Sequence, residues 1–234
     1  MSLEKQVRRI AVSLKGKFPS AEEMSHLAQM IYEEIFYNEN DIIKNPDEIL
    51  LQWIYIEYLL FCAIEEEKYG KKVRNGFKNM QEFLDTANSV MNRRKVRAGK
   101  SLEQHLTEIF ERNDLPFDRE VVTEKNKKPD FIFPSGEAYH NPQYDSNKLI
   151  VLASKTTCKD RWRQILNEAD RVRDKNKYLF TLQPNISSKQ LSEMKSERVI
   201  LIVPKPYINN YPPEFRTEIL SLVEFISLVK NTVY

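Results

Sequence analysis

The stretch IVLASKTTCKDRWR, residues 150–163, decides how this chain is read. An apolar run ends in Lys155, and a second set of charges, Lys159, Asp160 and Arg161, follows after a short turn. Upstream, KKPDFIF at 127–133 carries Asp130 at the start of another apolar run. Both runs read as strands, and neighbouring strands bring Asp130 and Lys155 to one point. A carboxylate beside a lysine suits metal-assisted phosphodiester chemistry. The carboxylate holds Mg²⁺, and the lysine positions the attacking water or helps deprotonate it. A second acid is needed for the metal shell. In the common nuclease pattern it stands two residues before the lysine, but here that position is Ala153, followed by Ser154. The segment DRWRQILNEADRVRD, 160–174, supplies Glu168 instead. It reads as a helix with Trp162, Ile165, Leu166, Ala169 and Val172 along one face, and Glu168 lies about two turns in, beyond a cap at Asp160.

Outward from this centre, DREVVTE (118–124), PDFIFP (129–134) and KLIVLASK (148–155) read as three successive strands. After the helix come a strand at KYLFTL (177–182), a short helix at SSKQLSEMKS (187–196) and a strand at RVILIVP (198–204). A closing helix runs from about Leu220 to Val229. That order predicts an α/β fold, a mixed sheet flanked by helices.

The N-terminal third reads as helical. Ser20 and Glu23 form a capping box for the helix in FPSAEEMSHLAQMIYEEIF, 18–36. Asn45, Pro46, Asp47 and Glu48 start the next helix, which is apolar on nearly all sides and is therefore either core or a subunit contact. Gly70 and Gly76 bracket a basic turn, and a helix runs from about Met80 to Met91. Arg93, Arg94, Lys95, Arg97 and Lys100 then cluster with no acid among them, ahead of a helix that starts at Ser101. The density of this cluster favours contacts to DNA phosphates or bases over a plain solvated loop. Glu103 is either an ordinary first-turn acid stabilised by the helix dipole or a further metal-site acid. The expected division is an N-terminal helical region at 1–79 and a core at 80–234, within one compact domain.

The bulk numbers agree with a globular protein. Of 234 residues, 41% are hydrophobic and 30% charged, so a sizeable core is available. The formal charge of +2 announces no polyanion partner, which leaves that task to local patches. Cys62 and Cys158 lack metal-ligand spacing and suit a reducing cytoplasm. No apolar segment has the length of a signal peptide or a membrane span. His26, His105 and His140 are isolated and read as structural or surface residues. Tyr139 and Tyr144 lie in a loop between two strands, where they either pack or approach DNA.

Three blocks, NRRKVRAGKSLEQHL, KKPDFIFP and LASKTTCKDRWRQILNEADR, together resemble the catalytic domain of the EcoRII/PspGI-like restriction endonucleases. These are Type II enzymes of the PD-(D/E)XK superfamily in which the second acid has moved to the following helix. The resemblance implies a restriction-endonuclease-like core that uses Mg²⁺, with Asp130, Lys155 and Glu168 as catalytic residues. Glu103 joins Asp130 and Glu168 in support of the metal. Lys159, Asp160 and Arg161 become a base-reading triplet: a guanidinium pairs bidentately with guanine, and a carboxylate accepts from cytosine N4. It further implies a homodimer on double-stranded DNA, a CC…GG site of the CCWGG type cut before the first C, and a cognate methyltransferase in the same cell. The chain's length predicts action without an added effector domain. The central bases are expected to flip out, with Tyr32, Phe36, Trp53 and Tyr55 as the available aromatic pocket. The same fold also suits a catalytically inactive DNA-binding protein or a structure-specific repair nuclease.

Overall fold

The computed structural model describes residues 2–36 and 41–234; the side chains of Asp41, Lys159, Asp160 and Arg161 lie outside the described set. The chain forms two compact units.

The first unit contains helices α1 (Leu3–Ser13) and α2 (Ala21–Phe36), together with the stretch Ile49–His105. That stretch carries most of α4 (Pro46–Asn75) and of α5 (Met80–Arg112). The capping box stands as read: Ser20 N donates to Glu23 Oε2 at 2.7 Å, and Glu23 N donates to Ser20 Oγ at 3.1 Å. Val7 and Ala11 of α1, Met24 and Ile31 of α2, and Ile56 and Leu60 of α4 form its core.

Two expectations are corrected here. The helix α4 runs through Gly70, and the turn falls at Gly76 alone, whose φ of +82° suits the residue just beyond a helix end. Ser101 starts nothing, because α5 is continuous from Met80 to Arg112. No proline interrupts this stretch, Gly99 sits in the helix, and the Ser101 hydroxyl donates to Glu57 instead of capping. The basic cluster thus lies on a helix surface, not in a loop.

The second unit comprises Asp41–Glu48 and Leu106–Tyr234. It opens with the short α3 (Asp41–Lys44) and holds a five-stranded sheet in the order β1 (Asp118–Arg119), β2 (Phe131–Phe133), β3 (Ile150–Lys155), β4 (Lys177–Thr181), β5 (Val199–Ile202). The first three strands pair antiparallel and the last three parallel, so the sheet is mixed. IVLA, YLF and VILI are near-continuous apolar runs because both faces are covered. On one face Phe110, Phe131, Phe133 and Phe225 meet edge to face or tilted, with Phe225 on α8 (Leu222–Val233). On the other, Ala153, Leu179 and Leu201 pack with Trp162, Ile165 and residues of α7 (Ser188–Ser196). The strand predicted at 118–124 ends early, because Glu120 turns into the left-handed region at φ +51°.

The helix expected at 160–174 is the main correction. Residues Lys159–Asn167 form a 3₁₀ run, and Asp170–Val172 a separate turn. The cause lies in where the apolar residues go. Trp162 and Ile165, three apart and so aligned on a 3₁₀ helix, enter the core with Ala153 and Leu179. Ala169 and Val172 enter a different cluster, with Ile132, Tyr139 and Val151. One straight helix could not serve both. The chain breaks direction at Ala169, whose backbone is extended (φ −151°), and Glu168 stands at that break.

Candidate active site

β2 and β3 place Asp130 and Lys155 side by side. Phe131 pairs with Leu152, so the residue before β2 reaches the tip of β3. Asp130 Oδ2 accepts from Ser154 N at 2.6 Å, from Ser154 Oγ at 3.2 Å and from Lys155 Nζ at 3.1 Å. All three donors use one oxygen. No hydrogen bond from the described residues goes to Oδ1, so that oxygen keeps its acceptor capacity. Sequence alone gives Ser154 no role beyond standing beside the missing acid.

Glu168 closes the 3₁₀ run, and the charges of Lys155 and Asp130 both act on its carboxyl. Burial raises its carboxyl above the ordinary glutamate range, and the Asp130 charge adds to this, while Lys155 and Lys127 pull it down. Asp130, Lys155 and Glu168 therefore share one electrostatic neighbourhood. No hydrogen bond reaches the Glu168 carboxylate from the described residues. A half-buried carboxylate without donors beside a second carboxylate is a poor arrangement for stability and a good one for a cation. Among the described residues no three of His, Cys, Asp and Glu converge, so a metal held here would have Asp130 and Glu168 as its two carboxylates. That donor set fits Mg²⁺, which takes one or two carboxylates and completes its octahedron with water and phosphate oxygens.

The remaining expected residues lie as follows. Lys159, Asp160 and Arg161 open the 3₁₀ run directly after the turn from β3, and their side chains lie outside the described residues. Glu103 is half-buried on the part of α5 that belongs to the first unit. Within that unit the basic cluster is largely engaged. Arg93 donates to the Tyr69 hydroxyl at 2.9 Å and stacks over Phe18, and Arg94 pairs with Glu65. Arg97 is buried and donates to the Pro19 and Ser20 carbonyls. Lys95 and Lys100 are exposed. Trp53 is core, packed against Tyr32 and His105, whereas Phe36 and Tyr55 are about half exposed. Tyr139 packs in the second unit's core and donates to Glu124 at 2.6 Å.

A mixed sheet with Asp130 and Lys155 at the ends of its inner strands β2 and β3 has the form of a restriction-endonuclease fold. The whole chain superposes on 85% of a structure of metal-depleted Ecl18kI in complex with uncleaved, modified DNA, with a TM-score of 0.75 and 19% identity. A PspGI–substrate DNA complex matches 92% of this chain and 93% of its own, with a TM-score of 0.71 and 15% identity. At those identities the likeness is one of fold. Residues 61–226 match the family described as EcoRII C terminal. The Type II restriction enzyme EcoRII of Escherichia coli is 45% identical over 212 residues, covering 90% of this chain and 50% of that protein. The Type II restriction enzyme SsoII of Shigella sonnei is 27% identical over 130 residues, 51% of this chain and 41% of that protein. The chain belongs to the EcoRII C-terminal family. It spans about half the length, or less, of these curated relatives.

Proposed function

We propose that this chain is a Type II site-specific deoxyribonuclease that makes Mg²⁺-dependent double-strand cuts at a CC…GG site of the CCWGG type, before the first C. The observation that carries the reading is the donor-free Glu168 carboxylate in the field of Asp130, whose Oδ1 takes no hydrogen bond from the described residues and whose Oδ2 lies 3.1 Å from Lys155 Nζ. Family membership and the 45% identity to EcoRII support the choice of reaction and site.

Asp130 through Oδ1, and Glu168 through its carboxylate, would hold the ion. The ion, when bound, supplies charge for the scissile phosphate and acidifies a water. Lys155 lies at the strand tip to orient the attacking water and take part in its deprotonation. The turn after β3 leads at once to Lys159, Asp160 and Arg161, for which we propose base contacts in the major groove, Arg161 to guanine and Asp160 to cytosine N4. A few residues of backbone thus join reading to cutting. Arg93, Arg94 and Lys95 belong to the proposed DNA face, with exposed Lys95 the member least engaged within the protein, whereas the buried Arg97 is committed to the Pro19 and Ser20 carbonyls. The proposed partners are double-stranded DNA, a second copy of the chain and a cognate methyltransferase. Extrusion of the central bases, with Phe36 and Tyr55 as the exposed aromatics, completes the reading.

The test is a plasmid digest in Mg²⁺ with the cut ends mapped. Discrete fragments ending at the first C of CCWGG are expected. Intact plasmid would point to a binding protein, and nicking that follows DNA structure rather than sequence would point to a repair nuclease.

A further inference from the structure

An acid carried on a strand is held by the ladder on both sides. Glu168 has no such support. It closes a 3₁₀ run, a helix type with poorer hydrogen-bond geometry, immediately before the chain turns extended. Yet a metal ligand must be fixed to within a fraction of an ångström to be useful. Something outside the run has to hold it.

The loop between β1 and β2 makes those contacts. The Thr123 hydroxyl donates to the carbonyl oxygen of Glu168 itself. That hydroxyl has one proton and two carbonyls in reach, but the Lys127 carbonyl is already served by Thr123 N at 2.8 Å, which leaves the proton for Glu168. Two residues on, Asp170 N donates to Glu124 Oε2 at 3.1 Å. The same oxygen accepts from the buried Tyr139 hydroxyl at 2.6 Å, which ties the loop to the core. Beyond that, the Arg171 guanidinium donates to the Ala138, Tyr139 and Tyr144 carbonyls. The backbone is thus gripped at Glu168, at Asp170 and at Arg171. The loop holds Lys125 and Asn126 in the left-handed region, at φ +58° and +57°, a conformation costly for a lysine and kept where surrounding contacts impose it.

We propose that Thr123 and Glu124 are positioning residues for Glu168, and that the β1–β2 loop does for the displaced acid what the sheet does for Asp130. The proposal rests on Glu168 being a metal ligand. It assigns Tyr139 and Arg171 to the supports of that clamp, not to DNA.

The experiment measures Mn²⁺ affinity by calorimetry on the protein bound to a cognate duplex, alongside the Mg²⁺ concentration for half-maximal cleavage. Glu124→Ala and the near-isosteric Thr123→Val are each expected to weaken Mn²⁺ about tenfold and to raise the Mg²⁺ requirement in step, with metal-free DNA binding unchanged. Thr123→Ser, which keeps the hydroxyl, should restore the parent values. A merely structural role would lower melting temperature and metal-free DNA binding together, with no change in the Mg²⁺ requirement, and would overturn the clamp. Parent-like Mn²⁺ affinity in both variants, where Glu168→Ala loses it, would overturn the clamp alone. Failure of the parent protein to bind Mn²⁺ at all would overturn the nuclease reading and the clamp with it.

Discussion

Glu57 in the first unit and Glu168 in the second are both carboxylates drawn away from water, and the chain treats them in opposite ways. Glu57 is fully served. Ser101 Oγ donates to one oxygen, and His105 Nε2 lies 2.8 Å from the other, with Ser25 Oγ at 3.3 Å. Gln29 Nε2 stands 3.3 Å from His105 Nδ1, so the ring is bonded at both nitrogens. Such a cluster ties α2, α4 and α5 together and leaves nothing over for a ligand. Glu168 receives no donor among the described residues and lies near the charge of Asp130. The first arrangement builds a fold, while the second costs stability and, on the proposed reading, leaves Glu168 ready for a cation. Donor satisfaction, rather than burial, is what separates Glu57 from Glu168.

The largest effect expected from this contrast is on chemistry. Asp130→Ala and Lys155→Ala should each lower single-turnover cleavage by about 10²–10⁴-fold, the range for a group that acts in proton transfer or charge stabilisation. The melting temperature should stay near the parent's for Lys155→Ala and fall for Asp130→Ala, which leaves buried Ser154 without its acceptor. Loss of less than tenfold at both positions would break the site assignment.

Stability should respond in the other unit. Glu57→Ala leaves His105 and Ser101 buried without their acceptor, and should cost about 3–5 kcal/mol by denaturant titration. Glu57→Gln keeps an acceptor and should cost clearly less. A Glu57→Ala protein as stable as the parent would erase the distinction between the two acids.

The smallest effect concerns pH. Burial raises the Glu168 carboxyl, so its proton leaves above the ordinary glutamate range. Metal binds the deprotonated form, so cleavage should rise with pH through that range at limiting Mg²⁺. The limb should move to lower pH as Mg²⁺ increases. Without metal the sign reverses for stability. A folded-state pKa above the unfolded one means that Glu168 stabilises most below the unfolded value, and this is lost as pH rises through the folded value. A limb that ignores Mg²⁺ would detach Glu168 from the metal.

How far the sequence could be read follows from range. The strands were legible because IVLASK, YLFT and VILI are short apolar runs that only a doubly covered sheet can bury. Asp130 and Lys155 were legible because strand register is local. The 3₁₀ break at Glu168 was not, since it depends on Trp162 and Ala169 entering separate cores. Thr123 and Glu124 left no signal, because their partners are backbone atoms 45 and 46 positions away. Asp47 shows the same limit. Its sequence position is the first turn of its own helix, but its carboxylate accepts from Lys205, Leu222 and Val223 N–H groups and so caps α8. The basic cluster at 93–97 looked uncommitted because Glu65, Tyr69 and the Ser20 carbonyl are distant in sequence.

The central claim is that Glu168 completes a metal site which the strand leaves unfinished. Its most direct test is Glu168→Ala, assayed for cleavage of a plasmid with mapped CCWGG sites and, in EDTA, for binding to a cognate duplex. The account predicts no fragments, duplex affinity within about twofold of the parent, and a melting temperature equal to the parent's or higher, since an unsatisfied buried carboxylate is removed. Fragments produced at the parent's rate would contradict it.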